Sequence, residues 1–187
     1  MDLEGRVALN YHGLTAAVGG YTGKLSADAQ NVVTNPVGSP IRTASRFSAL
    51  VAYVSPIFRV GGEYFYTKDN SKGIVLGAPE DAARGASAWA SVQFTPKWAV
   101  LGRVDYYQPN RLTFPSRYEN FYLGGIDYTA TSGVDLALIY KRDVVKSSNG
   151  FFAPGAISTQ DASGLGSTVV GGQGSYDEFG LFGRFAF

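Results

Sequence analysis

Glu178-Phe179-Gly180-Leu181-Phe182-Gly183-Arg184-Phe185-Ala186-Phe187 is the stretch whose reading decides the fold. Phe179, Leu181, Gly183, Phe185 and Phe187 share one parity, and Glu178, Gly180, Phe182, Arg184 and Ala186 share the other. Successive side chains of a strand point to opposite faces. The stretch therefore predicts a strand with one apolar face and one face that carries a carboxylate and a guanidinium. Phe182 alone breaks the sorting.

Outward from this segment the same alternation recurs about nine times. Leu3, Gly5, Val7, Leu9 and Tyr11 oppose Glu4, Arg6, Ala8 and Asn10, and His12-Gly13 then turns the chain into Leu14, Ala16, Val18 and Gly20. Phe47 to Tyr53, Phe58 to Thr67, Ala86 to Phe94, Trp98 to Tyr107, Tyr122 to Tyr128 and Val134 to Lys141 repeat the pattern. The connections also alternate. Short turns fall at His12-Gly13, Ser55-Pro56, Thr95 to Lys97 and Thr129 to Gly133. Longer polar stretches run from Lys24 to Ser45, Lys68 to Gly85, Gln108 to Tyr118 and Val144 to Ser175. Sorting of loops by length onto two sides is the habit of an outer-membrane barrel, and nothing demands it of a soluble sandwich. Spacing points the same way. Phe58 to Tyr66, Trp98 to Tyr106 and Phe179 to Phe187 each put aromatics at both ends of an apolar stripe. Eight residues of tilted strand span about 20 Å, near the height of a barrel's apolar band. These six aromatics are the expected membrane-interface girdles.

Composition sets the bounds. The chain has 187 residues, with Tyr 12, Phe 12 and Gly 24 against Met 1. Such counts suit strands that present aromatics at an interface. Mean hydropathy is near zero and no stretch is apolar enough for a spanning helix, as expected where strands alternate. Cysteine is absent, so disulfides and thiolate chemistry are excluded. A net charge of +1 argues against nucleic acid as a partner. Met1-Asp2-Leu3-Glu4-Gly5-Arg6 lacks the basic and apolar regions of a signal peptide, which suggests an expression start or the edge of a longer chain.

The alternation, the loop sorting and the Phe187 ending together resemble the C-terminal portion of a Gram-negative outer-membrane porin. Ala17-Val18-Gly19-Gly20-Tyr21, Gly124-Gly125-Ile126-Asp127-Tyr128 and Tyr176-Asp177-Glu178-Phe179-Gly180-Leu181 share that family's texture. The resemblance implies an antiparallel up-and-down transmembrane β-barrel in the outer membrane. Its surroundings would be lipid and lipopolysaccharide, with homotrimers a feature of the family. It also implies that the terminal Phe187 strand is read by the barrel-insertion machinery. Nine strands is an odd count, whereas bacterial single-chain barrels have an even one. The chain therefore reads as part of a larger barrel of roughly 16 to 18 strands. The alternative is a small closed barrel of about eight to ten strands.

On this reading Glu4, Arg6, Arg59, Glu63, Arg103, Asp105, Asp127, Asp135, Lys141, Glu178 and Arg184 line a lumen. They form either an open polar channel wall or a set of cross-strand pairs that fills a narrow interior. Arg59 with Glu63, and Arg103 with Asp105, are same-face neighbours able to pair. Small residues at Ala8, Ala17, Gly19, Gly61, Ala99 and Ala137 favour open space. Arg111, Phe114 and Arg117 in the Gln108–Tyr118 loop could fold inward as a constriction or pack against a neighbouring loop. Lys68, Lys72, Arg142 and Lys146 fall near the outer rim, where they either meet lipopolysaccharide phosphates or form a simple solvated rim.

Catalysis finds little support. His12 is the sole histidine and occupies a turn without an acidic neighbour, so a triad lacks its base. No His, Cys and Asp cluster has metal spacing, and no cofactor is implied. Asp69-Asn70-Ser71 suits a solvated turn better than a calcium ligand set. Gly164-Leu165-Gly166 and Gly171-Gly172-Gln173-Gly174 lack the following helix that a phosphate loop needs. The expected function is passive diffusion of small hydrophilic solutes. The runner-up is a structural or adhesive barrel acting through its long loops, with a membrane enzyme third.

Overall fold

The computed structural model describes residues 2–23, 43–68, 81–112, 114–146 and 173–185. Among them the chain is all-β, with nine strands and no helix. In chain order these are β1 (Leu3–Tyr11), β2 (Leu14–Gly23), β3 (Ala44–Val54), β4 (Phe58–Lys68), β5 (Ala82–Gln93), β6 (Trp98–Gln108), β7 (Tyr118–Thr131), β8 (Val134–Lys146) and β9 (Gln173–Phe185). Each strand pairs antiparallel with its neighbour in sequence, giving one up-and-down sheet. Among the described residues β1 and β9 each have one partner only, and the sheet is not closed.

Local chemistry sets the turns. His12 and Gly13 have φ of 45° and 84°, the pair of positive values that a type I′ hairpin loop demands. A Cβ on Gly13 would sit 2.3 Å from the Val54 carbonyl oxygen, so glycine is required there twice over. At the next turn the Ser55 hydroxyl donates to the Phe58 carbonyl and accepts from the Phe58 amide, both at 3.0 Å. Thr95 does similar work, its hydroxyl oxygen accepting from the amides of Lys97 and Trp98 at 3.2 and 3.0 Å. The last turn is only Ser132-Gly133, because β7 runs on through a bulge between Thr129 and Thr131.

Register fixes two faces. One carries Val7, Val18, Val51, Val60, Val92, Val100, Ile126, Leu138 and Leu181 from the nine successive strands, and all are more than two-fifths exposed. The other carries the acids and bases discussed below. Buried apolar side chains among the described residues are few and small: Ala17, Ala44, Ala82, Ala83 and Val145. There is no second layer over the sheet among those residues, so its main burial lies at the long-connection end of the strands.

The ladder is also staggered. Leu14 is the first residue after the β1–β2 turn. Its row runs through Tyr53, Val60, Ala90, Gly102 and Gly124 to Tyr140, which is the seventh residue after the Ser132-Gly133 turn. Six residues are gained over six strands, one per strand. With about 3.3 Å rise and about 4.8 Å between strands, that stagger inclines the strands by about 35° to the normal of the line that joins the short turns.

Strand ends differ from expectation. The polar stretch read from Lys68 to Gly85 yields its last residues to β5, which starts at Ala82. β7 starts at Tyr118 and β8 continues to Lys146. β9 starts at Gln173, inside the stretch read as a loop up to Ser175. All of these extensions lie at the long-connection end.

Candidate functional site

The charged face is the candidate site, and antiparallel register builds it. Glu4 and Arg6 on β1, Arg59 and Glu63 on β4, and Arg103 and Asp105 on β6 share this face with Asp127 on β7. Asp135 and Lys141 on β8 and Glu178 and Arg184 on β9 continue it. The face is concave. Side chains from Ser55 and Arg59, through Gln93, Leu101 and Asp127, to Asp135 and Arg184 line one hollow of about 570 Å3 at the short-turn end. Residues on β4 and β9, five strands apart, thus look onto the same space. A second hollow of about 570 Å3 opens at the other end of β1–β4, between Glu4, Arg6, Tyr21, Arg46 and Thr67.

The wall charges divide into paired and unpaired sets. The Arg103 Nε–H donates to both Asp105 carboxylate oxygens at 2.8 and 2.9 Å, and the Ser87 hydroxyl donates to the same carboxylate. Lys141 reaches Glu178 across β8–β9 at 3.2 Å, and Arg184 bonds Asp135 across the same pair. Lys141 also stands 5.1 Å from the ring centroid of Phe182. The one residue that broke the terminal pattern therefore occupies the charged face beneath a cation. Arg59 and Glu63, also same-face neighbours, form no ion pair with each other; Arg59 lines the hollow instead.

The small residues do two jobs. A Cβ on Gly61 would lie 2.4 Å from Trp89 Cζ2, and one on Gly85 would lie 2.3 Å from Phe65 Cε1. Two aromatics of this face are thus laid across glycines of the adjacent strand, and Gly61 seats an indole rather than facing open space. Phe65 also packs on Tyr107, ring centroids 5.9 Å apart.

Residues 108–117 are held at the long-connection end. Asp81 Oδ1 accepts from the Ala82 and Leu112 amides at 2.8 and 3.0 Å, and its Oδ2 accepts from Asn110 Nδ2 at 3.0 Å. The Arg111 amide donates to the Ala82 carbonyl at 2.7 Å, and Gln108 Nε2 donates to the Pro115 carbonyl at 2.6 Å. The Phe114 amide donates to Asn110 and the Arg117 amide donates to Phe114. This segment is therefore fastened to the head of β5. Arg111 is exposed, while Phe114 and Arg117 are half-buried.

Of the expected girdle aromatics, Phe58 and Trp98 sit beside short turns, packed on Tyr53 and Tyr128 at 5.5 and 4.5 Å. Tyr66, Tyr106 and Phe179 are on the same apolar face. Tyr106 lies 6.1 Å from Tyr118 and Phe179 4.8 Å from Tyr140. Phe187 lies outside the described residues, as do Lys72, Asp69-Asn70-Ser71, Gly164-Leu165-Gly166 and Gly171-Gly172. His12 packs edge-on against Tyr11 at 4.2 Å in its turn. No cluster of metal-ligating side chains occurs among the described residues.

Sequence reasoning missed the buried polar residues Asp81, Gln108 and Asp143, and the wall aromatics Phe65, Trp89 and Tyr107. The aromatics were detectable from parity alone, since each falls opposite its strand's apolar set. Asp81 has no periodic signal. No protein-family model matches the chain, and no curated protein matches it.

Proposed function

We propose that the sheet is part of the wall of an outer-membrane β-barrel, and that the protein is a porin for passive diffusion of small hydrophilic solutes. The observation that carries this reading is the division of the sheet into two faces. The apolar face has no charged side chain over the half nearer the short turns, and its valines and leucines are exposed across all nine strands. Nine strands about 4.8 Å apart and about 20 Å tall make an apolar surface of roughly 860 Å2. The largest patch on a soluble monomer is about 300–600 Å2. Lipid covers such a face without a second protein layer, and the concave charged face then borders water.

The stagger supports the same reading. An incline of about 35° falls at the low end of the strand tilt in membrane barrels. Strand direction adds a count. β1 and β9 run the same way, so direct closure between them would need a parallel seam. Antiparallel closure needs an odd number of further strands between them, which favours a larger barrel of even strand number. The paired charges Lys141–Glu178 and Arg184–Asp135 fit a wall braced across strands, while the unpaired Arg59 faces the hollow.

Single-channel recording of the full-length protein in planar bilayers tests the reading. Ohmic steps are expected. A silent bilayer containing inserted protein would replace the porin with a structural or adhesive barrel.

A further inference from the structure

Two opposite charges share the hollow at the short-turn end without meeting. Arg59 on β4 and Asp127 on β7 both line it. Neither has an ion pair among the described residues, whereas Asp135 and Arg184 in the same hollow are committed to each other. Asp127 is half-buried and faces Ala99 on β6 and Ala137 on β8, so its carboxylate stands in a clearing between two methyl groups. Lys97, in the β5–β6 turn, lines the same hollow and still forms no ion pair with Asp127. Register fixes how far the two charges lie apart. Arg59 stands in a row with Ser91, Leu101 and Gly125, and Asp127 is two residues beyond Gly125. Three strand spacings of about 4.8 Å and two residues of about 3.3 Å put the two backbones about 16 Å apart along the sheet. Leu101 and Ala99 floor the space between, with the Ser91 hydroxyl and the Gln93 side chain at its edge. Gln93 Nε2 donates to the Pro96 carbonyl at 3.3 Å, which leaves its side-chain oxygen open.

We propose that this hollow binds short zwitterionic peptides, with Arg59 taking the C-terminal carboxylate and Asp127 the N-terminal ammonium. The inference rests on the porin reading and names a solute class for its lumen. A wall that only needs to be wet is served by mutually paired charges, as on β8 and β9. A cation and an acid held apart over an apolar floor instead complement a solute whose own charges are held apart. Side chains that lean inward narrow the gap to roughly 7 to 14 Å, the length of two to four extended residues. Arginine suits the carboxylate because its planar N–H groups can donate two parallel bonds. Ser91 and Gln93 supply hydrogen-bonding groups for the amides between the two ends. A free amino acid is too short to meet both charges. A polyanion would bring like charge to Asp127, and a polyamine would bring it to Arg59.

Block of the ohmic current of the full-length protein in planar bilayers by three tripeptides tests this. Triglycine carries both charges, acetyl-triglycine only the carboxylate, and triglycinamide only the ammonium. Triglycine is expected to block at the lowest concentration. An exposed charge pair is worth up to about fivefold in affinity, so each singly charged peptide should need up to about five times more. A uniform field in the pore cannot favour both charges at once, so an advantage over both peptides reads two separate sites. Arg59→Gln should erase the advantage over triglycinamide and keep the one over acetyl-triglycine. Asp127→Asn should do the reverse. Arg6→Gln, in the other hollow, should leave all three peptides unchanged. The ohmic step of each variant reports that it has folded and inserted. Equal block by the three peptides in a conducting wild type overturns the peptide site and spares the porin. An advantage that survives both substitutions overturns the site as well. A silent bilayer containing inserted protein removes the two readings together.

Discussion

At the scale of the residue, the sharpest feature is Asp81, whose two carboxylate oxygens gather three donors from the strand head and the 108–117 segment. A buried carboxylate that satisfies amides in this way is expensive to remove, because the donors are left unpaired. Asp81→Ala should release the segment while leaving the ladders intact. Hydrogen exchange at the Leu112 amide should speed up by roughly ten- to a hundredfold, the equivalent of one to two charge-assisted bonds. Asp81→Asn, which keeps one acceptor, should show a smaller change. An unchanged rate in Asp81→Ala would mean that Gln108 and the backbone bonds hold the segment by themselves. The same scale explains why Gly61 was misjudged as a lining residue. A glycine opposite tryptophan makes room for the ring on its own strand's surface, and parity gives no hint of what lies across the ladder.

At the scale of the strand, neighbouring residues should respond oppositely to one substitution. Leu138 and Ala137 are adjacent on β8, Leu138 exposed on the apolar face and Ala137 lining the hollow opposite Asp127. Leu138→Arg should cost about 2–4 kcal/mol if lipid covers that face. Ala137→Arg should be nearly neutral, with Asp127 as a ready partner. Folding yield and denaturant midpoints in lipid vesicles compare them, and similar costs would sink the two-faced account. Periodicity made the faces legible in the sequence, since each of the nine strands alternates through its middle. It failed at strand ends. Ala82–Gly85, Tyr118–Phe121 and Gln173–Ser175 carry no clean apolar alternation, because beyond the apolar band both faces of a strand meet polar surroundings. The 108–117 segment was legible only as a loop with basic and aromatic residues. Its fastening rests on Asp81, just ahead of β5, with Gln108 and the Arg111–Ala82 backbone bond, and none of these carries a periodic signal.

At the scale of the molecule, the wall's charges should govern which ions pass. Arg59 has no ion pair among the described residues and lines the hollow at the short-turn end. Arg59→Glu should shift the reversal potential toward cations, changing the permeability ratio roughly twofold or more at low salt. The shift should shrink as the Debye length contracts to about 3 Å at 1 M salt. Arg142→Gln, on the opposite face, should leave selectivity where it was. The one-residue stagger carries a last consequence. Followed sideways from strand to strand, a hydrogen-bonded row climbs like a spiral stair, and a full circuit must land on a residue of matching parity. An odd climb would turn oily side chains onto wet ones at the join. Deleting one residue from the middle of any strand should therefore do more than shorten it, for the whole circuit would miss its landing.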